Sequence, residues 1–262
     1  MIAILVAVKQ ELKPILRLAD ARHIIRQEHF DFYEGTLAGE PVALLALGVG
    51  KECARIAAEM TVKCYRPDLI INAGFGGALQ ERIRAGDIVI GTEALDLSAD
   101  DGKDVRCRSS QSLFHHSALE RNEGFQVHLG KMLTTDDMIL KAARKIRMGN
   151  ATGALTVDME TSAIAAVAAA HQTPFLGLRC ITDTSRENLP REFNDFFVVG
   201  QLQPSRILNS IRRRPRLVLD LARMGYRARR AGQTLARFLV HVITQIHAEQ
   251  KPGSNQTVLI NS

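Results

Sequence analysis

Apolar residues fall in short unbroken runs over the first two hundred positions and in a spaced stripe near the C-terminus. Residues 2–8, Ile-Ala-Ile-Leu-Val-Ala-Val, predict a strand buried on both faces. Gln10 to Ala19 predicts a helix with Glu11 near its start. Phe30 to Leu37 and Val42 to Leu47, bounded by Gly and Pro, predict two more strands. An Ala-rich helix is expected from Lys51 to about Tyr65. A buried strand, Asp68 to Asn72, runs straight into Ala73-Gly74-Phe75-Gly76-Gly77. Further strands are expected over Asp87 to Thr92 and Val127 to Thr134, with a polar, irregular loop between them over 98–124 and a helix over Asp137 to Ile146.

The centre of the pattern is Leu155 to Ile164. A β-branched run ends in Asp158-Met159-Glu160, and a helix, Thr161 to Ala170, begins at once. The next strand, Phe175 to Ile181, ends in Thr182-Asp183. Strands alternating with helices argue for a three-layer α/β/α fold. If the two strands are parallel in one sheet, Glu160 and Asp183 emerge at the same carboxyl edge, where open α/β sheets bind ligands. Glu11, just after the first strand, belongs to the same edge.

Past residue 200 the period changes. Leu217, Leu221, Met224, Ala228, Ala231, Leu235, Phe238, Val242 and Ile246 are spaced three and four apart, which predicts one long amphipathic helix from Pro215. The division expected is an α/β body over 1–200, which holds the candidate site, a basic helical extension over 201–250, and a disordered tail over 251–262.

Charge sharpens this division. The chain of 262 residues carries a net +6, yet Arg206 to Arg237 contain ten arginines and one acidic residue, so the remainder is about −3. The body therefore offers no basic surface for nucleic acid. A basic, apolar-striped helix can lie on an anionic membrane surface, or it can pack on the body or a second subunit with its arginines solvated. No run reaches the roughly 18–20 apolar residues that span a bilayer. Four cysteines without a CxxC pair suggest neither a disulfide framework nor a zinc site and fit a reducing, cytoplasmic setting. The N-terminal run lacks a leading basic region and predicts a strand rather than a signal peptide.

Taken singly, the candidate groups have plain explanations. Glu11 and Glu160 suit the first turn of a helix, and Asp158 suits a helix cap. Gly48-Val49-Gly50-Lys51 lacks the spacing of a Walker loop, but its glycines let backbone approach a ligand. The glycines of 73–77 do the same for a flat ring or an anion.

Four blocks together resemble the purine nucleoside phosphorylase and nucleosidase superfamily, especially the methylthioadenosine/adenosylhomocysteine nucleosidases. They are Ala7-Val8-Lys9-Gln10-Glu11, Gly48-Val49-Gly50-Lys51, Pro67-Asp68 through Gly86-Asp87-Ile88-Val89, and Val157-Asp158-Met159-Glu160 with Arg179-Cys180-Ile181-Thr182-Asp183. The resemblance implies a phosphorylase-like α/β/α fold with a mixed central sheet, and cleavage of a purine N-glycosidic bond with Glu11, Asp183 and Glu160 as catalytic groups. Asp183, kept protonated by burial, would donate toward the purine N7. Glu160 would grip the ribose hydroxyls, and Glu11 would deprotonate water. Substrate contacts fall on Val49, Gly74, Phe75, Gly76, Asp158, Met159 and Arg179, with Arg179 holding the base region. No metal or cofactor is implied, and phosphate would be a co-substrate only in a phosphorylase.

Phe75 stands where many nucleosidases have a small polar residue, so either water is placed differently or an aromatic wall stands here. Phosphorolysis would need cations converging on phosphate; Lys9, Lys51 and Arg82 are the candidates. Residues from Asn188 through the Arg- and Leu-rich helix resemble the hopanoid-associated branch, which implies an adenosine with a large lipid at its 5′ position. The resemblance also implies a homodimer. The alternative outside enzymology is a purine-nucleoside sensor that binds without turnover.

Overall fold

The computed structural model describes residues 1–27, 30–97, 107–108, 124–198 and 201–250. Strand β1 (Ile2–Val6) has no exposed residue, because it lies between two parallel neighbours, β4 (Glu40–Ala46) and β5 (Leu69–Ala78). Beyond β4 the sheet continues outward, antiparallel, through β3 (Phe30–Leu37) to β2 (Arg22–Gln27), a strand absent from the expected pattern.

On the other side the sheet closes on itself. Strand β5 pairs in parallel with β10 (Phe175–Asp183), which pairs antiparallel with β6 (Ile88–Asp96). The two-residue strand β7 (Cys107–Arg108) hangs on β6. Strand β6 runs parallel to β8 (Val127–Thr134), and β8 runs parallel to β9 (Thr156–Asp158). Strand β9 then returns antiparallel to β5 and completes a five-stranded ring.

This corrects the expectation of two parallel strands ahead of Glu160 and Asp183: β10 runs with β5, and β9 runs against it. The two carboxylates nevertheless converge, because Val157 and Asp183 both register with Gly77. The closure depends on bare backbone. A Cβ on Gly76 would lie 2.4 Å from the Thr156 hydroxyl, and one on Gly130 2.5 Å from the Leu155 side chain.

Helices cover the sheet. Helix α1 (Lys9–Leu16) follows β1, α2 (Lys51–Tyr65) follows β4, and α4 (Thr161–Ala170) follows β9 and packs on α2. Helix α3 (Ala142–Thr152) starts five residues later than expected. The reason is a strap over 188–194. Asn194 accepts from the Met138 backbone N–H at 3.0 Å, Leu189 N–H donates to the Leu140 carbonyl at 2.8 Å, and Asn188 accepts from Ala142 N–H at 2.9 Å. Those bonds hold 138–141 outside the helix. Most of the loop expected over 98–124, and the disordered end expected over 251–262, lie outside the described residues.

After a 3-10 turn (Arg191–Phe196) and a small hairpin of β11 (Phe197–Val198) and β12 (Gln201–Leu202), two helices follow, and the whole expected stripe lies on the second. These are α5 (Pro204–Arg213) and the 34-residue α6 (Leu217–Gln250). Helix α6 passes through Gly225 and Gly232 without a break. At Gly232 a Cβ would stand 3.2 Å from the Gln10 carbonyl and the Pro14 ring, so the glycine lets α1 approach. From Ala231 onward the stripe is core: Leu235, Phe238, Leu239, Val242 and Ile243 are buried in one cluster with Ile4, Leu44, Ile71, Leu178 and Ile15. That half of α6 covers the sheet of the body and is not available to a membrane.

Candidate functional site

The peptide after β1 turns directly into α1, and Glu11 in its first turn folds back over that turn. One carboxylate oxygen accepts from the Ala7 and Val8 N–H groups at 2.8 and 2.9 Å; the other accepts from Phe75 N–H in β5 at 2.7 Å. Glu11 is buried. Burial pushes its carboxyl above the ordinary value, against the pull of the three backbone donors and of Arg179.

Glu160 sits between β9 and α4. Its Oε1 accepts from Gly50 N–H at 2.9 Å. Gly50 has φ of +103°, a conformation that favours glycine, so the Gly-Val-Gly loop is shaped to present that amide. Burial, and next the Asp158 charge, push the Glu160 carboxyl up to about 7, with Arg179 opposing.

Asp158 caps α4 and is saturated. Its Oδ1 accepts from the Glu160 and Thr161 N–H groups, each at 3.0 Å, and from the Thr134 hydroxyl at 2.9 Å. Its Oδ2 takes the Thr161 hydroxyl and Arg179 Nε, the latter at 3.1 Å. Arg179 is equally spent. Its remaining donors go to the Asn72 and Leu178 carbonyls at 3.0 and 2.9 Å, the Asn72 side-chain oxygen at 2.5 Å and the Thr161 hydroxyl at 2.7 Å. All five guanidinium N–H groups are used. The substrate contacts expected of Asp158 and Arg179 are therefore not what their hydrogen bonds serve. The pair is a buried strut behind the carboxylates, and Arg179 keeps two buried acids from facing each other unscreened.

Asp183 ends β10 on the same side. Its Oδ1 accepts from the Thr182 hydroxyl at 2.9 Å, and its Oδ2 accepts from the ammonium of Lys145 in α3. The pair sets a buried ammonium beside the carboxyl, a partner that the expectation for Asp183 did not include. Lys145 escaped the sequence reading. Its one signal was position: it lies three and four residues before Met148 and Gly149, on the buried face of α3.

These groups surround one cavity of about 550 Å³. Glu11, Val49, Phe75, Gly76, Asp158, Met159, Glu160 and Asp183 border it; Gly74 and Arg179 do not. Gly74 instead leaves room for the Glu11 carboxylate, which a Cβ there would meet at 3.0 Å. Phe75 forms an aromatic wall between β5 and Gly232 of α6. The cavity then runs outward between α1 and α6, past Phe193, Phe196, Leu202, Met224 and Ala228, to a rim with Lys13, Arg17 and Arg229. Lys51 is bound by Asp96 and Asp136 at 2.5 and 2.9 Å, and Lys9 and Arg82 are exposed outside the cavity. Among the described residues no cluster of His, Cys, Asp and Glu could hold a metal ion.

A sheet closed into a ring, with acids from three strand ends facing one cavity, defines the class. The profile of the Phosphorylase superfamily matches residues 1–211, and the chain belongs to that family. Within it, the chain is similar to the 5′-methylthioadenosine/S-adenosylhomocysteine nucleosidase of an Exiguobacterium species, 25% identical over 200 residues, which are 71% of this chain and 86% of that protein. Among solved structures, the nucleosidase of the same name from Neisseria meningitidis, in complex with methylthio-immucillin-A, superposes with a TM-score of 0.72. It is 21% identical and covers 93% of this chain and 98% of its own. The futalosine hydrolase of Helicobacter pylori superposes at 0.71, 17% identical, over 92% of this chain and 96% of its own. With so little of the chain left over, part of the C-terminal helical segment has a counterpart in those folds.

Proposed function

We propose that this protein hydrolyses the N-glycosidic bond of an adenosine that carries an apolar 5′ substituent. The observation that carries this reading is the shape of the cavity: Glu11, Glu160 and Asp183 meet at its inner end, and an apolar passage leads away from them to α6. Breaking the bond builds positive charge on the ribose and negative charge on the base. Glu160, held by Gly50, grips the ribose hydroxyls and stabilises the cationic sugar. Met159 packs on the sugar face, and Val49, Phe75 and Gly76 shape the space for the nucleoside. Glu11 takes the proton of the attacking water, and Asp183 addresses the purine N7. The relatives named as nucleosidases and as a hydrolase support the same chemistry.

Hydrolysis is favoured over phosphorolysis because the candidate phosphate ligands are engaged or distant: Lys51 is committed to two aspartates, and Lys9 and Arg82 lie outside the cavity. Incubation with 5′-methylthioadenosine, S-adenosylhomocysteine and adenosines bearing long 5′-alkyl chains is expected to release free adenine without phosphate. Release that requires phosphate would replace the hydrolase with a phosphorylase. Binding without release would favour the nucleoside sensor.

The passage also suits a lipid nucleoside such as adenosylhopane, and the surface beside its mouth suits contact with an anionic membrane. Leu208, Leu219 and Tyr226 are 50%, 71% and 62% exposed. They share α5, the link after it and the first four turns of α6 with exposed Arg206, Arg212, Arg213, Arg216, Arg223 and Arg230. Each such cation near an anionic surface contributes about 1 kcal/mol. No helix among the described residues is long and apolar enough to cross a membrane, so this contact would be peripheral. The full chain is expected to sediment with anionic vesicles and not with zwitterionic ones, and Leu219→Asp should weaken that. Equal sedimentation with both would remove the membrane contact. A homodimer is part of the same reading, and a cytoplasmic setting rests on the cysteine usage.

A further inference from the structure

The geometry points to Lys145 as the residue that holds and supplies the proton of the leaving base, acting through Asp183. This rests on the nucleosidase reading and adds a residue to it. Lys145 is 1% exposed, yet its ammonium is fully bonded: to the Asp183 Oδ2, to the Thr184 carbonyl at 3.2 Å and to the Glu187 carbonyl at 3.1 Å. A buried lysine is costly unless it is paired. A leucine at this position of α3 would fill the space without that cost. Here the amine is aimed at the one carboxylate that faces the base.

A second ion pair, Glu187 with Arg227, borders this one. Glu187, on the segment after β10, also faces Lys145, but its carboxylate is taken by Arg227 of α6 at 2.8 and 2.9 Å and by Thr184 N–H at 3.0 Å. Burial would raise Glu187; Arg227 holds it below the ordinary value, so it stays an anion. Arg227 pairs with Glu187 and its charge also reaches Asp183, so the carboxylate faces two cations, of which Lys145 is the one that donates to it.

The step balances as follows. The C1′–N9 bond breaks and its electron pair stays with the purine. Lys145 Nζ gives a proton to the Asp183 carboxylate, and the carboxyl gives a proton to N7. Water bonds to C1′ and loses a proton to Glu11. Solvent then reprotonates Lys145 and takes the proton from Glu11. Asp183 thus passes the proton on, and Lys145 is its positioning and proton-supplying partner.

The test is the pH dependence of Lys145→Met, read with the state of the Asp183 carboxyl. Without the ammonium, a buried Asp183 must take its proton from solvent. Adenine release by the variant is expected near wild-type, within about tenfold, at pH 5.5 and at least about 10²-fold lower at pH 8. An equal fractional loss at every pH would make Lys145 a structural residue and overturn the proposal. The second measurement uses the wild-type protein labelled with ¹³C-aspartate, the Asp183 signal being assigned by its loss in Asp183→Asn. That signal should be a carboxylate's from pH 6 to 8. A protonated carboxyl at pH 7 would overturn the proposal even if Lys145→Met fails to fold. Absence of adenine release by the wild-type would sink the nucleosidase reading, while the carboxyl titration would still decide the ion pair.

Discussion

Glu11→Gln is expected to cut adenine release by about 10²–10⁴-fold, the usual contribution of a positioned general base. The loss should fall on kcat, since Glu11 addresses water and not the nucleoside. The carboxylate uses both oxygens to accept three backbone N–H groups, from Ala7, Val8 and Phe75. An amide has one acceptor oxygen. In either orientation its NH2 would oppose at least one of those donors, which costs about 1–3 kcal/mol of stability. Circular dichroism should therefore show a folded protein with a lowered melting temperature. The wild-type should lose kcat/KM as pH falls through the raised Glu11 value, because the base is then protonated. A variant that keeps kcat within a few fold would show that water is activated elsewhere.

The fold was legible where burial leaves a continuous signature. Strands β1, β5 and β10 are apolar runs because each has neighbours on both sides and helices on both faces. Glu11, Glu160 and Asp183 could be picked out because acids at strand ends gather at sheet edges. What escaped was information that exists only in three dimensions. The three-residue β9 carries no sign of its direction, and ring closure sets that direction by bringing it back against β5. Periodicity showed which face of α6 is apolar but not what it covers, so a helix that completes the core resembled an appendage. Arg179 was expected to hold the base region because the family resemblance implies it, and its buried partners give a different reason for it. The reason is Asp158, Asn72 and Thr161, brought together from β9, β5 and α4. Lys145 finds Asp183 38 residues away, across a contact that only the fold creates.

The ribose grip exposes the tension between stability and activity most directly. Glu160→Gln is expected to slow adenine release by about 10²–10³-fold, the cost of removing one preorganised electrostatic group. The same change should make the protein more stable above neutral pH. The side chain ionises at about 7 in the folded protein, against an ordinary value of 4.5. A raised value means that the folded state favours the protonated acid. The favourable contribution is complete below pH 4.5 and is lost as pH rises to about 7, a difference on the order of 3 kcal/mol. Glutamine imitates the protonated acid at every pH, and its amide oxygen can still accept from Gly50 N–H. The melting temperature of the variant should thus exceed that of the wild-type by several degrees at pH 8 and match it near pH 4.5. A constant difference across that window would mean that Glu160 is not held against its charge. Unchanged turnover would mean that the cationic sugar is stabilised by another group. If both effects appear together, the enzyme keeps an anion where folding disfavours one, and the charge that develops on the ribose in the transition state offsets the cost.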